Sequence, residues 1–128
     1  MRCVAALLSA AVLAGCGGGP SDEQQVRQTL TDFVQATAHK DYTRMCEKLL
    51  APQLVSQVQQ IGLPCEKALQ RGLGDVRDPR LTIGKVTVNG DRASAQIRTS
   101  AAGQAPSQDT IDLAKVDGSW RILSLGKA

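Results

Sequence analysis

Aromatic side chains are nearly missing from this 128-residue chain: Phe33, Tyr42 and Trp120 are all it has. Bases, sugars and quaternary ammonium groups are commonly gripped by aromatic faces, so those ligand classes lose their usual platform. Histidine occurs once, as His39. One imidazole and a few distant thiols cannot make a tetrahedral metal set, so no metal or cofactor site is expected. A Ser-His-Asp site would have to be built on His39, and no Ser sits at a strand-to-helix elbow to join it. Charge of either sign is dispersed: the formal net charge is +3 with no polybasic block, which gives nucleic-acid binding no support. Gly17-Gly18-Gly19 has no strand before it and is not a phosphate-cradling loop. Internal repeats are absent, and no apolar run reaches the roughly 20 residues needed to span a bilayer.

What is present begins at the N-terminus. Arg2 is followed by the apolar run Val4–Leu13, then by Leu13-Ala14-Gly15-Cys16. A positive start, a short apolar core and small residues before a cut site are the grammar of an export signal. The Cys at the cut makes residues 1–16 resemble a bacterial lipoprotein signal peptide. That resemblance implies cleavage after Gly15, a diacylglycerol on the Cys16 thiol and further acylation of the new amino group. The expected location is the extracytoplasmic face of the cell membrane, held by N-terminal lipid. Two or three acyl chains make such anchoring stable. Residues 16–21 are then a short tether, with a reach of no more than ~20 Å.

Removing residues 1–15 leaves 113 residues, one domain's worth, with an excess of two positive charges. Cys3 leaves with the signal and Cys16 carries lipid, so Cys46 and Cys65 remain as an even pair in an exported domain. A disulfide between them is expected; a redox pair is disfavoured by the lack of Cys-x-x-Cys spacing.

Helical patterning occupies the first half. Ser21 or Asp22 caps a helix running to about His39, with Val26, Leu30, Phe33, Val34 and Thr37 facing inward. Asp41 caps a second helix, Tyr42–Leu50, broken at Ala51-Pro52. A short stretch follows to Gly62, and Pro64 opens another that stops at Gly72 or Gly74. Beyond Asp78-Pro79 the period changes to two. In Leu81–Val88 the apolar phase slips, which predicts a β-bulge near Gly84. Asn89-Gly90-Asp91 and Asp117-Gly118 are turn signals. Ala93, Ala95 and Ile97 define a second strand, and 101–108 is expected as a polar loop. Ile111, Leu113 and Val116 mark a third strand; Trp120, Ile122 and Leu125 mark a fourth. The expected class is α+β, with N-terminal helices packed on a bent antiparallel four-stranded sheet.

The long first helix, Asp41-Tyr42-x-x-x-Cys46-x-x-Leu49, the hairpin from Val86 to Ala93 and the closing Asp117-Gly118-Ser119-Trp120-Arg121-Ile122 resemble the nuclear transport factor 2-like superfamily. The likeness extends over residues 22–125 and defines the domain as 22–128. It implies a cone of helices and sheet around a pocket. Superfamily members include isomerase-like and cyclase-like enzymes and many non-catalytic binding or docking modules, so the fold leaves the activity open.

His39, Asp41 and Tyr42 form the one cluster that can be drawn as catalytic, with Asp41 as base and Tyr42 as oxyanion donor. Adjacent residues at a helix start diverge, so the preferred reading makes Asp41 a cap, His39 an exposed helix end and Tyr42 packing. No catalytic residue is assigned. Lys85, Arg92, Arg98, Lys115 and Arg121 are expected on the sheet's outer face, partly paired with Asp91, Asp109, Asp112 and Asp117. The functional expectation is a membrane-tethered, non-catalytic binding or accessory module of the envelope. Its pocket or sheet surface would meet a small apolar ligand or an envelope protein. A small isomerase- or cyclase-like enzyme is the alternative, and a homodimer is left open.

Overall fold

A computed structural model describes residues 19–126. The expected signal, the lipidation site Cys16 and the first tether residues lie outside them. Helix α1 spans Asp22–His39. Ser21 is its cap: Ser21 Oγ accepts from Gln24 N at 3.2 Å, and Gln24 Oε1 accepts from Ser21 N at 3.0 Å. This reciprocal box satisfies two otherwise orphaned donors. Val26 and Leu30 are buried as the spacing predicts, together with Thr29 and Ala36. Thr29 is tolerated inside because its hydroxyl reaches Trp120 O at 3.0 Å.

Asp41 caps the next element, its carboxylate accepting from Arg44 N at 3.1 Å. The single helix expected over Tyr42–Leu50 is instead two pieces. Helix α2 covers Tyr42–Arg44, and Met45–Leu49 form a π-helical turn closed by Leu50 N donating to Met45 O at 2.9 Å. The wider turn ends where Leu50 and Ala51 run beside the last strand, with Ala51 N donating to Ile122 O at 2.8 Å. Cys46, on this turn, forms the expected disulfide with Cys65. Helix α3 is Pro52–Gln60 and α4 is Cys65–Leu73, stopping at Gly74.

Strands β1 (Arg80–Asn89), β2 (Arg92–Ala101), β3 (Gln104–Val116) and β4 (Ser119–Ser124) form an antiparallel meander in sequence order. The bulge lies where the apolar phase slips, between Ile83 and Val86 of β1. Bulged carbonyls lose ladder partners. Here Arg27 of α1 supplies them, donating to Ile83 O at 3.4 Å and Gly84 O at 3.0 Å. Arg27 is therefore a tie between helix and sheet and not only a solvent-facing cation.

The loop expected over 101–108 is not a loop. The chain turns at Ala102-Gly103 and enters β3 at once. Pro106 misled the reading, because a proline cannot donate to a ladder. It is accommodated in a second irregularity, between Thr99 and Ala101 of β2, where pairing is already shifted. Strand β4 ends at Ser124, leaving Leu125 outside it and exposed.

The core sits between α1, the π-helical turn and the sheet, with Met45, Leu50, Leu113, Ile122 and Val26 fully buried. Two ends of the molecule are distinct. At one, the hairpin turns after β1 and β3 lie side by side, Lys115 N donating to Asp91 O at 2.8 Å, and α1 begins beside them. At the other, the β2–β3 turn is tied to the segment after α4 by Ala102 N donating to Arg77 O at 2.8 Å. Among the described residues no helix is long and apolar enough to cross a membrane.

Candidate functional site

Residues opposite one another in an antiparallel pair share a face. Along β2 and β3 the helix-facing pairs are Ala93 with Leu113, Ala95 with Ile111, Ile97 with Asp109 and Thr99 with Ser107. The first two pairs are buried core. The last two turn polar towards the β2–β3 turn, and Thr99 Oγ1 and Ser107 Oγ hydrogen-bond at 3.0 Å. One face of one hairpin thus grades from aliphatic to acidic to hydroxylic over a few residues.

Above this gradient the helices do not close down on the sheet, leaving a cavity of about 360 Å³. Ligand cavities usually fall in the range of ~300–1,000 Å³, so this one suits a small molecule. Leu30, Phe33 and Val34 from the middle of α1 form its roof. Leu73, Val76 and Pro79, at and beyond the end of α4, form a side wall. Ile97, Ile111 and Ile122 form the floor. The mouth, at the β2–β3 turn end, is polar: Arg80, Ser100, Gln104, Ser107 and Asp109. Leu73 is the last residue of the helix that starts at Cys65, so the disulfide fixes the base of a helix whose far end touches the cavity.

Asp109 is the only carboxylate lining the cavity among the described residues. It is half-buried. Gly126 crosses directly over it with φ +91°, and a methyl group there would lie 3.1 Å from Asp109 Cβ and Cγ. The sequence reading grouped Asp109 with outer-face acids. Its parity with Ile111 and Leu113 is the signal that would have turned it inward, and it was obscured by the expected loop ending at Gln108.

His39, Asp41 and Tyr42 do not line the cavity. His39 and Asp41 are exposed, Asp41 caps α2, and Tyr42 is half-buried with its hydroxyl sealed from solvent and unpartnered among the described residues. Among the described residues no three His, Cys, Asp or Glu side chains gather as a metal site.

The expected pairing of strand cations with Asp91, Asp109, Asp112 and Asp117 is not found among the described residues. Lys115 turns inward, its ammonium 3.0 Å from Asp22 Oδ1, which also accepts from Trp120 Nε1 at 3.0 Å. Arg121 donates to Glu47 O at 2.9 Å. Strand alternation sends Lys115 to the same side as Leu113, whereas Arg92 and Arg98 remain exposed on the outer face. That face is a shallow polar saddle carrying Gln96, Arg98, Gln108 and Thr110, and its edge reaches Asp109 and Gly126, so Asp109 borders both hollows.

No protein-family model matches the chain, and no curated protein does. Solved structures do. An NTF2-like protein of unknown function from Shewanella baltica is 18% identical, with a TM-score of 0.60 over 80% of this chain and 88% of its own. An NTF2-like protein of unknown function from Silicibacter pomeroyi is 20% identical, with a TM-score of 0.59 over 80% and 90%. A de novo designed NTF2 fold protein is 17% identical, with a TM-score of 0.55 over 81% and 85%. At such identities the likeness concerns architecture alone, and a designed neighbour underlines that this shell exists without any evolved task. Four helices packed on a bent four-stranded antiparallel meander, open at one end, give this chain the nuclear transport factor 2-like α+β fold.

Proposed function

We propose that the chain is an envelope lipoprotein, tethered through lipid on Cys16, whose concave cavity binds a small apolar ligand without transforming it. The observation that carries this reading is the cavity itself: apolar on three sides, open at one end and sized for a small molecule. The Leu13-Ala14-Gly15-Cys16 run and the Cys46–Cys65 disulfide both fit an exported, oxidising setting. The ligand would be held by apolar burial, with ~25 cal/mol contributed per Å² removed from water.

An isomerase- or cyclase-like reading has one observation in its favour, the carboxylate of Asp109 at the cavity rim. A proton-transfer site of that kind also needs a donor opposite the base, at the place where negative charge develops. Thr99 and Ser107 are the hydroxyls nearest in register, and they bond each other. We therefore favour binding over turnover.

Native mass spectrometry of the full chain, extracted from membranes in mild detergent, tests both halves of the proposal. The expected spectrum shows a diacylated or triacylated N-terminus and an additional small apolar ligand released on unfolding. The variant Cys16→Ser should remain unprocessed and unlabelled by lipid precursors. An unlipidated parent would overturn the anchoring, and a protein with no affinity for any apolar compound would overturn the binding.

A further inference from the structure

We infer that the ligand class of the cavity is an amphiphile with an aliphatic body and a protonated amine, the amine held by Asp109. This rests on the cavity being a ligand site, as proposed above. Asp109 stands at the boundary where the floor turns polar, opposite Ile97 and one step below the Thr99–Ser107 pair. A half-buried carboxylate loses hydration and is stabilised by a cation or strong donor. Of the other half-buried acids among the described residues, Asp22 meets Lys115 and Asp32 meets Arg44 at 3.5 Å, whereas Glu66, on α4 and away from the cavity lining, has no such partner. The Asp109 carboxylate has no ion pair or hydrogen bond among the described residues.

Arg80, the charged residue at the outer mouth, pairs in register with Ser100, on the strand parity opposite to Thr99, and is exposed. Arg80 nonetheless lines the cavity beside Ser100, so the mouth carries one cation and one carboxylate, and the carboxylate of Asp109, opposite Ile97, stands nearer the apolar floor. Gly126, passing over Asp109 at φ +91°, brings backbone against the carboxylate and narrows the approach to it. A molecule lying along the gradient would place its tail between Phe33, Leu73 and Ile111 and its head at Asp109. Recognition would come from a carboxylate and not from an aromatic cage, in keeping with a chain that has three aromatic residues.

The test is calorimetric titration of the full chain, at neutral pH and below micelle formation, with decylamine, decanol and decanoate. One charge-assisted hydrogen bond corresponds to a preference of roughly tenfold or more. Decylamine should bind at least tenfold more tightly than decanol, and decanoate should be weakest. Asp109→Asn should bring decylamine down to the level of decanol while leaving decanol unchanged, and Asp109→Glu should keep the amine preference. The headgroup series on the parent protein decides the matter even if a variant does not fold. Equal binding of amine and alcohol, tighter binding of decanoate, or an amine preference that survives Asp109→Asn would overturn this inference and leave an apolar site standing. Binding of none of the three would overturn the ligand site itself.

Discussion

Asp22 holds the first turn of α1 against the sheet. Its carboxyl lies below the ordinary carboxylate range, chiefly through the hydrogen bond from Lys115 and next through that from Trp120, with partial desolvation opposing them. A carboxyl whose pKa is lowered by folding adds stability above its unfolded value of ~3.9, and that stability is lost as pH falls through the lower folded value. Asp22→Asn should therefore melt below the parent at neutral pH. The gap should close as thermal melts are repeated from pH 5 towards pH 2. A gap independent of pH would show that the carboxylate charge is not what the contact uses. Tyr42 makes the opposite case. Its hydroxyl is buried without a partner among the described residues, and an unsatisfied buried polar group costs ~1–3 kcal/mol. Tyr42→Phe should raise the unfolding free energy by about 1 kcal/mol in a urea titration and leave ligand binding unchanged. At this scale the sequence was read well where chemistry is local, as with the Asp41 cap. It was read poorly where a side chain's meaning depends on which face of a strand it takes, as with Lys115 and Asp109.

Elements were legible in proportion to their periodicity. The apolar stripe of α1 and the phase slip in β1 each announced what the structure contains, because hydrophobic spacing encodes facing directly. The π-helical turn was not legible. Its residues, Met45–Leu49, have ordinary helical character, and the wide turn arises from the tertiary demand that Leu50 and Ala51 run beside β4. The start of β3 was hidden by Pro106, whose missing donor is harmless only because it falls in a shifted register. The disulfide joins that turn to α4 across 19 positions. A cross-link closing a loop of this size stabilises by roughly 3 kcal/mol in the chain-entropy account. Replacing Cys46 and Cys65 together by Ser should remove about that much in denaturant titrations. It should also weaken ligand binding, because Leu73, at the far end of α4, forms part of the cavity wall. Retained stability with unchanged affinity would show that packing alone holds α4 in place.

For the molecule as a whole, the cavity was expected from resemblance and its polarity was not. An interior lining is assembled from α1, the end of α4 and the segment after it, and all four strands, so no single stretch of sequence reports it. The two ends are what give the shell a direction. Helix α1, with 18 residues, is ~27 Å long. It starts beside the two hairpin turns, and its middle roofs the cavity. The mouth therefore lies at the end remote from the start of α1, with Leu125 beside it.

On the proposed anchoring, the protein stands on the bilayer like a cup on its base, with its lip towards the aqueous compartment. Cargo would be poured in from above by diffusion or by a partner, not drawn up from the leaflet beneath. Moving the acyl group from Cys16 to a cysteine appended after Ala128 would upend the cup. Exchange of a fluorescent amine with vesicles carrying the protein should then become sensitive to contents of the same leaflet, while the upright form draws only on the bulk phase.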